Sequence, residues 1–303
     1  MVQVQAEQSL TGRVAIVTGA NTGIGQVTAT VLASRGAEVY IACRSRAAGE
    51  AAQAKLAAAG RRVHLLSLDL ADLDSVRACA ADFLARGTPL HMLVNNAGLA
   101  GARGFTRSGF ELAFGVNHVG TFLLTQLLLP RLREADHARV VTVASKAHYS
   151  TKRIDWEALR QPTRSVTGLS EYAVSKLANV LFSAELARRL AGTNVHTYAL
   201  HPGVIASDVW RGVPQPLRAL IMLPMKSVEQ GADNSIYLAS SPDVAAETGR
   251  YYHDRQAREP SALASDPALA SELWTRSEEW TSARAASTGS APHVGATRSS
   301  AAH

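Results

Sequence analysis

The stretch Val14-Ala-Ile-Val-Thr-Gly-Ala-Asn-Thr-Gly-Ile-Gly25 decides how this chain folds. Its apolar opening, residues 14–17, has the length and content of a short buried strand. Residues 26–34 read as the helix that follows. Between them Gly19, Gly23 and Gly25 permit a tight turn and a close approach of backbone to a ligand. A helix starting there offers free N–H groups and a positive dipole end, which together suit a pyrophosphate. The spacing is G-x-x-x-G-x-G, not the G-x-G-x-x-G dinucleotide fingerprint. Taken alone, the turn also reads as a corner that packs a helix on a strand.

Outward from that turn, strand and helix patterns alternate. Strands are expected at 14–17, 39–42, 63–68, 92–94, 140–143, 195–199 and 251–252. Helices are expected at about 22–35, 46–59, 72–86, 107–133, 170–190 and 227–240. This rhythm predicts an α/β fold: a Rossmann-type doubly wound parallel sheet of about seven strands, with helices on both faces. Ligands of such a sheet bind beyond the carboxyl ends of its strands. A single domain is expected over 13–255, after an N-terminal extension at 1–12. In the segment 256–282, Asp266-Pro267 suits the cap and first turn of a terminal helix ending near Trp280. The Ser/Thr/Gly/Ala-rich residues 283–303 predict a disordered tail.

Composition narrows the function. The 303 residues, 47% of them hydrophobic, suffice for one large core. Of the net charge of +6, two arginines, Arg284 and Arg298, sit in the tail, which leaves +4 on a body without a dense Lys/Arg run. Such a charge attracts anionic cofactors mildly and carries no nucleic-acid footprint. Cys43 and Cys79 provide no disulfide framework and suit a reducing compartment. No histidine pair has metal-ligand spacing, so no metal is expected. Residues 1–13 are polar, and the apolar run 122–129 is far short of the ~20 residues a span needs. No transmembrane anchor is therefore expected, and the expected location is cytoplasmic.

A second motif lies far downstream. Tyr172-Ala-Val-Ser-Lys176 puts a phenol and an ammonium one turn apart on one helix face. A phenol ordinarily titrates near ~10. A neighbouring positive charge favours the phenolate and makes Tyr172 a usable general acid or base. Alone, the pair also fits an ordinary amphipathic helix.

The order Thr18 to Gly25, Asp69-Leu70, Asn95-Asn-Ala-Gly98, Asn117, Ser145, Tyr172/Lys176 and Pro202-Gly203 resembles the short-chain dehydrogenase/reductase family over residues 11–255. Ala42-Cys-Arg44, Gly115-Val-Asn-His-Val-Gly120 and His201-Pro-Gly203 resemble its retinol dehydrogenase and WW-domain oxidoreductase branch. The resemblance implies roles. Tyr172 becomes the general acid/base, and Ser145 donates to the substrate oxygen. Lys176 binds the nicotinamide ribose and lowers the Tyr172 pKa. Asn117 kinks its helix and holds a water in line with Lys176. Gly19, Asn21, Thr22, Gly23, Ile24 and Gly25 cradle the cofactor, while Asn96, Ala97 and Gly98 wall its ribose. Pro202, Gly203 and Val204 touch the carboxamide, and Ser207 supplies a hydroxyl. Asp69 and Leu70 lie along the adenine, although Asp69 and Asp72 equally suit a helix cap. Two departures stand out: Ala144 where many relatives carry a second serine, and Gln26 where close relatives often carry lysine.

The end of the second strand selects the cofactor. Cys43-Arg44-Ser45-Arg46 follows it, with no Asp or Glu between Val39 and Gly49. An acid there would bond the ribose hydroxyls and reject a 2′-phosphate. Arg44 instead offers a planar donor fork to a phosphate. The expected cofactor is NADP(H).

The expected function is that of a carbonyl reductase or alcohol dehydrogenase (a ketoreductase in one direction), exchanging hydride between NADP(H) and a small lipophilic carbonyl or alcohol substrate. The apolar stretch within 205–226 reads as a lid over that substrate or as a helix packed for stability. The resemblance implies retinal-like aldehydes; the Ala- and Arg-rich text suits aromatic polyketide or other hydrophobic ketones. It also implies pairing into a homo-oligomer through helices 107–133 and 170–190. Two other readings compete. A sensor or scaffold would bind NADP(H) without turnover, and such proteins often lose part of the Ser/Tyr/Lys set kept here. A nucleotide-sugar epimerase would show G-x-x-G-x-x-G and a larger C-terminal domain, and neither is present.

Overall fold

The computed structural model describes residues 9–203 and 227–282. Val204, Ser207, the lid segment, residues 1–8 of the N-terminal extension and the 283–303 tail lie outside the described residues. Strands β1 (Val14–Thr18), β2 (Glu38–Cys43), β3 (Val63–Ser67), β4 (Met92–Asn95), β5 (Ala138–Val143), β6 (Val195–His201) and β7 (Arg250–His253) pair in parallel, in the order β3-β2-β1-β4-β5-β6-β7. The chain winds from β1 outward to β3, then crosses back over β1 to β4. The crevice between β1 and β4 is thus the switch point at which such sheets bind ligands.

An eighth strand, β8 (Gln256–Arg258), runs antiparallel to β7. It is absent from the sequence reading. Its two-residue turn, Asp254-Arg255, has φ values of 52° and 59°, the left-handed pair of a primed hairpin turn. Asp-Arg lacks the Asn-Gly or Asp-Gly signature by which that turn is recognised.

Strand side chains alternate between two cores. Val14 and Ile16 face Phe83, Phe122 and Phe182, whereas Ala15 and Val17 face Leu32, Leu56 and Leu238. The helices that bring those partners are α1 (Gly23–Ser34), α2 (Arg46–Ala57), α3 (Leu73–Leu84), α4 (Leu112–Phe114), α5 (Thr121–Glu134), α6 (Leu169–Arg189) and α7 (Val228–Ser240). With helices on both faces, the strands carry the near-continuous apolar runs that betray them in the sequence.

The helix expected at 107–133 differs in two ways. It begins at Leu112, because the Glu111 carboxylate accepts from Phe114 N (2.8 Å) and caps it there. A π-helical segment, Gly115–Gly120, which contains Asn117, then interrupts it before α5. The combined span Leu112–Glu134 is long and apolar enough to cross a membrane, yet most of it is buried inside this fold.

The terminal helix α8 (Pro267–Ser282) is present and is started by Asp266, whose carboxylate accepts from Ala268 N at 2.8 Å. It lies against α6. Trp274 stacks on Phe182 at 6.0 Å and meets Phe122 edge-on at 5.0 Å. Part of the α5/α6 face expected to pair with another copy is therefore filled by the chain's own helix.

Candidate active site

The glycine turn after β1 is built for close approach. Gly19 and Gly23 sit at φ +66° and +58°, where a side chain would be strained. A Cβ on Gly25 would overlap the Asn96 amide and lie 2.6 Å from the Gly19 carbonyl oxygen. Ile24 and Gln26 follow in the first turn of α1, whose N-cap Thr22 is extended and makes no side-chain capping bond. The start of a 12-residue helix at this turn suits an anion. Asn21 is part of the same turn.

Thr18, part of the motif in the sequence but given no role there, braces the opposite wall. Its Oγ1 accepts from Asn96 N (3.0 Å) and Ala97 N (2.9 Å), and Asn96 Nδ2 donates to the Thr18 carbonyl at 2.8 Å. These bonds hold the β1 and β4 ends in register across the crevice. A threonine ending an otherwise apolar strand was the available signal.

The cap expected of Asp69 or Asp72 falls to Asp72, which caps α3 through Asp74 N at 3.0 Å, whereas the Asp69 carboxylate accepts from Ala71 N at 3.0 Å. The Leu70 carbonyl packs against Gly120 so closely that a Cβ there would overlap it. Arg44 is exposed immediately after β2. Pro202 and Gly203 directly follow β6, with Gly203 at φ 100°. Asp69 and Leu70 thus end up in the loop at the carboxyl end of β3, Asn96 to Gly98 at that of β4.

The four expected catalytic side chains come together at the ends of β4 and β5. Ser145 follows β5; its Oγ accepts from Ala147 N at 3.1 Å and is near enough to the Tyr172 phenol to lower its pKa. Lys176, 4% exposed, donates from Nζ to the Val143 carbonyl at 2.8 Å and lies 5.6 Å from the Tyr172 ring centroid. Asn117, buried in the π segment, donates to the Leu99 carbonyl (3.0 Å) and Ser175 Oγ (2.9 Å) and accepts from Leu99 N (2.9 Å). Gly98 lies between the two: a Cβ there would be 3.1 Å from Asn117 Oδ1 and 3.4 Å from Lys176 Nζ.

One electrostatic expectation fails. Burial pushes the Tyr172 phenol above its ordinary value, and the Ser145 hydroxyl pulls it back only in part. Lys176 does not set that value: burial draws the ammonium's own pKa down to about 8, and one of its three N–H groups donates to Val143. Desolvation disfavours both charged forms.

Histidines and cysteines are structural where described. His118 Nε2 bonds Ser277 Oγ of α8 at 2.9 Å. His201 ends β6, buried, with its ring 5.0 Å from His253. Cys43 and Cys79 are buried free thiols, Cys79 pushed up to about 12 by burial. Among the described residues no cluster could hold a metal. Trp156, in the insert before α6, packs on Trp280 and under Arg276 of α8 and so serves the core. Phe105 and Val166, on two loops that touch where Gly168 meets the Ala102 carbonyl, and Leu169, the first residue of α6, are exposed.

Comparison with known proteins gives the family. The family model for short chain dehydrogenase matches residues 13–158. Mouse retinol dehydrogenase 12 is 46% identical over 248 residues, covering 80% of this chain and 78% of that protein. A crystal structure of an uncharacterized protein from Mycobacterium paratuberculosis superposes with a TM-score of 0.74 at 37% identity, covering 91% of this chain and 96% of the other. An NAD(P) dependent gluconate 5-dehydrogenase from Beutenbergia cavernae, solved with NADP bound at low occupancy, gives 0.65 at 27% identity, covering 80% and 95%. A glycine crevice at the switch point, a Ser/Tyr/Lys/Asn cluster beside it and relatives of this likeness over most of their length make the chain a member of the short-chain dehydrogenase/reductase family, in its retinol dehydrogenase-like branch of NAD(P)(H)-using oxidoreductases acting on alcohols and carbonyls.

Proposed function

We propose that this protein is an NADP(H)-dependent carbonyl reductase or alcohol dehydrogenase acting on a lipophilic aldehyde or ketone and its alcohol. The observation that carries the reading is the convergence of Ser145, Tyr172, Lys176 and Asn117 beside the glycine crevice. Bound in that crevice, the nicotinamide supplies or accepts the hydride. Gly19, Gly23, Gly25, Asn96 and Gly98 fit it by leaving room for close approach. Arg44 at the end of β2, with no acid through Gly49, supports the 2′-phosphorylated form.

The residues divide the proton work. A phenol held above its ordinary value stays protonated at neutral pH, so Tyr172 Oη is ready to protonate an alkoxide oxygen in the reductive direction. Ser145 Oγ accepts from Ala147 N, which leaves its own proton to steady the same oxygen. Lys176, with a pKa of about 8, is mostly charged at pH 7 and favours the phenolate once Tyr172 has given up its proton. Asn117 anchors the loop after β4 to α6 and aligns Gly98 with Lys176. The exposed side chains of Phe105, Val166 and Leu169 support a lipophilic substrate.

The test is NADPH and NADH oxidation against aldehydes and ketones of increasing apolar size, with Tyr172→Phe alongside. NADPH turnover rising with apolar size, and a loss of at least about a thousandfold in the variant, is expected. Tight NADPH binding without turnover of any compound would favour a sensor, and conversion of a nucleotide sugar an epimerase.

A further inference from the structure

Three residues after Ser145, the fully buried ring of His148 is engaged at both nitrogens. Nδ1 lies 2.6 Å from the Ser145 carbonyl oxygen, and Nε2 lies 3.1 Å from the backbone N of Ser261. A backbone N–H can only donate, so Nε2 is bare and Nδ1 carries the hydrogen. Burial, which draws the His148 pKa down, keeps the ring neutral in that tautomer. The ring thus ties the serine's backbone to a segment 113 residues beyond His148.

The neighbourhood reinforces this link. The Tyr149 hydroxyl donates to the Glu259 carbonyl. The rings of Tyr149 and Tyr251 flank His148 at 4.0 and 4.9 Å. Residues 259–261 directly follow β8, so the antiparallel hairpin at the sheet edge determines where the anchor lies. Ser145 Oγ faces Tyr172 only while the short turn Lys146–Ser150 keeps its place, since Ala147 N in that turn holds the same oxygen.

We infer that His148 is a positioning residue, which through its Nδ1–H bond to the Ser145 carbonyl and its anchor on Ser261 N–H holds the Ser145 hydroxyl beside Tyr172. The inference rests on the roles proposed for Ser145 and Tyr172.

Asparagine can place an amide nitrogen where Nδ1 stands, and glutamine an amide oxygen where Nε2 stands. His148→Asn therefore keeps the bond to Ser145, and His148→Gln keeps only the bond from Ser261. His148→Gln is expected to lower kcat about 10- to 100-fold with the NADPH dissociation constant unchanged, and His148→Asn, which like the loss of the Ser261 N–H gives up the anchor alone, to lower it less, by about three- to tenfold. In a Ser145→Ala background His148→Gln should cost nothing more, because its effect runs through the serine. An equal loss in both backgrounds, or a His148→Gln kcat within twofold of the parent, overturns the inference. Should that variant not fold, Ser261→Pro deletes the anchoring N–H at a φ of −61° that proline accepts. It should lower kcat in the parent and not in the Ser145→Ala background; no change in the parent overturns the inference. A readout without turnover separates this inference from the proposed reaction. The ultraviolet titration of the Tyr172 phenol, taken as a difference against Tyr172→Phe, should move upward in His148→Gln and Ser145→Ala alike. An unmoved titration in His148→Gln overturns the positioning role whether or not the parent reduces any carbonyl.

Discussion

The Lys176 ammonium donates to the Val143 carbonyl oxygen across 2.8 Å, and Asn179 Nδ2 donates to the same oxygen at 3.2 Å. A nearly buried charge therefore rests on a neutral acceptor that already has a second donor. The arrangement favours chemistry over stability: an ammonium is kept within reach of Tyr172 at the cost of its hydration.

That cost gives a pH signature. Burial brings the Lys176 pKa from 10.5 down to about 8. Between those values the unfolded chain holds a proton that the folded chain has released, so stability rises with pH across the window and the full penalty applies below about 8. Lys176→Met leaves Val143 bonded to Asn179 and removes the penalty, which is at most about 3 kcal/mol. The variant should melt at or above the parent at pH 7, with the difference shrinking toward pH 10, while activity is lost. Thermal unfolding at pH 7 and 9.5 checks this; a variant that melts well below the parent at pH 7 would show that the hydrogen bond outweighs desolvation.

Gly25→Ala forces a methyl group onto the Asn96 amide and the Gly19 carbonyl. The amide is pinned to the Thr18 carbonyl and the carbonyl is backbone, so the crevice must widen at about 1–3 kcal/mol. NADPH binding, followed by quenching of protein fluorescence, should weaken at least tenfold. Unchanged affinity would place the cofactor elsewhere.

Arg44→Asp exchanges a phosphate donor for a carboxylate that suits ribose hydroxyls and repels a 2′-phosphate. A charged hydrogen bond contributes about 1.5–3 kcal/mol, so the NADPH/NADH ratio of kcat/KM should fall by about 10- to 100-fold or more. A ratio that does not move removes Arg44 from the cofactor site.

Trp274 couples α8 to the rest of the fold through Phe122, Phe182 and the Arg189 guanidinium 4.4 Å from its ring. Trp274→Ala should destabilise by about 3–5 kcal/mol, read from the denaturant midpoint. If α8 also blocks association, a truncation at residue 266 should raise the apparent mass in light scattering. A truncated chain as stable and as monodisperse as the parent would make α8 an accessory.

Much of the site was legible before any coordinates. Gly19, Gly23 and Gly25 follow an apolar run and precede a helix, and Tyr172 and Lys176 stand four residues apart, so local spacing alone assigns them to a turn and to one helix face. The β8 hairpin was not legible, because Asp254 and Arg255 adopt left-handed backbone without the residues that usually announce it. Nor was the π segment, since apolar periodicity near 3.6 continues through 112–134 whether or not one turn is wider.

The order of strands and helices, the glycine cradle and the Tyr/Lys pair are thus properties of the sequence itself, because each rests on neighbours a few residues apart. Only the tertiary structure decided that Lys176 donates to Val143, that burial raises the Tyr172 phenol, and that His148 links Ser145 to Ser261. Those outcomes depend on desolvation and on partners 33 and 113 residues distant, and distance along the chain carries no record of proximity in space.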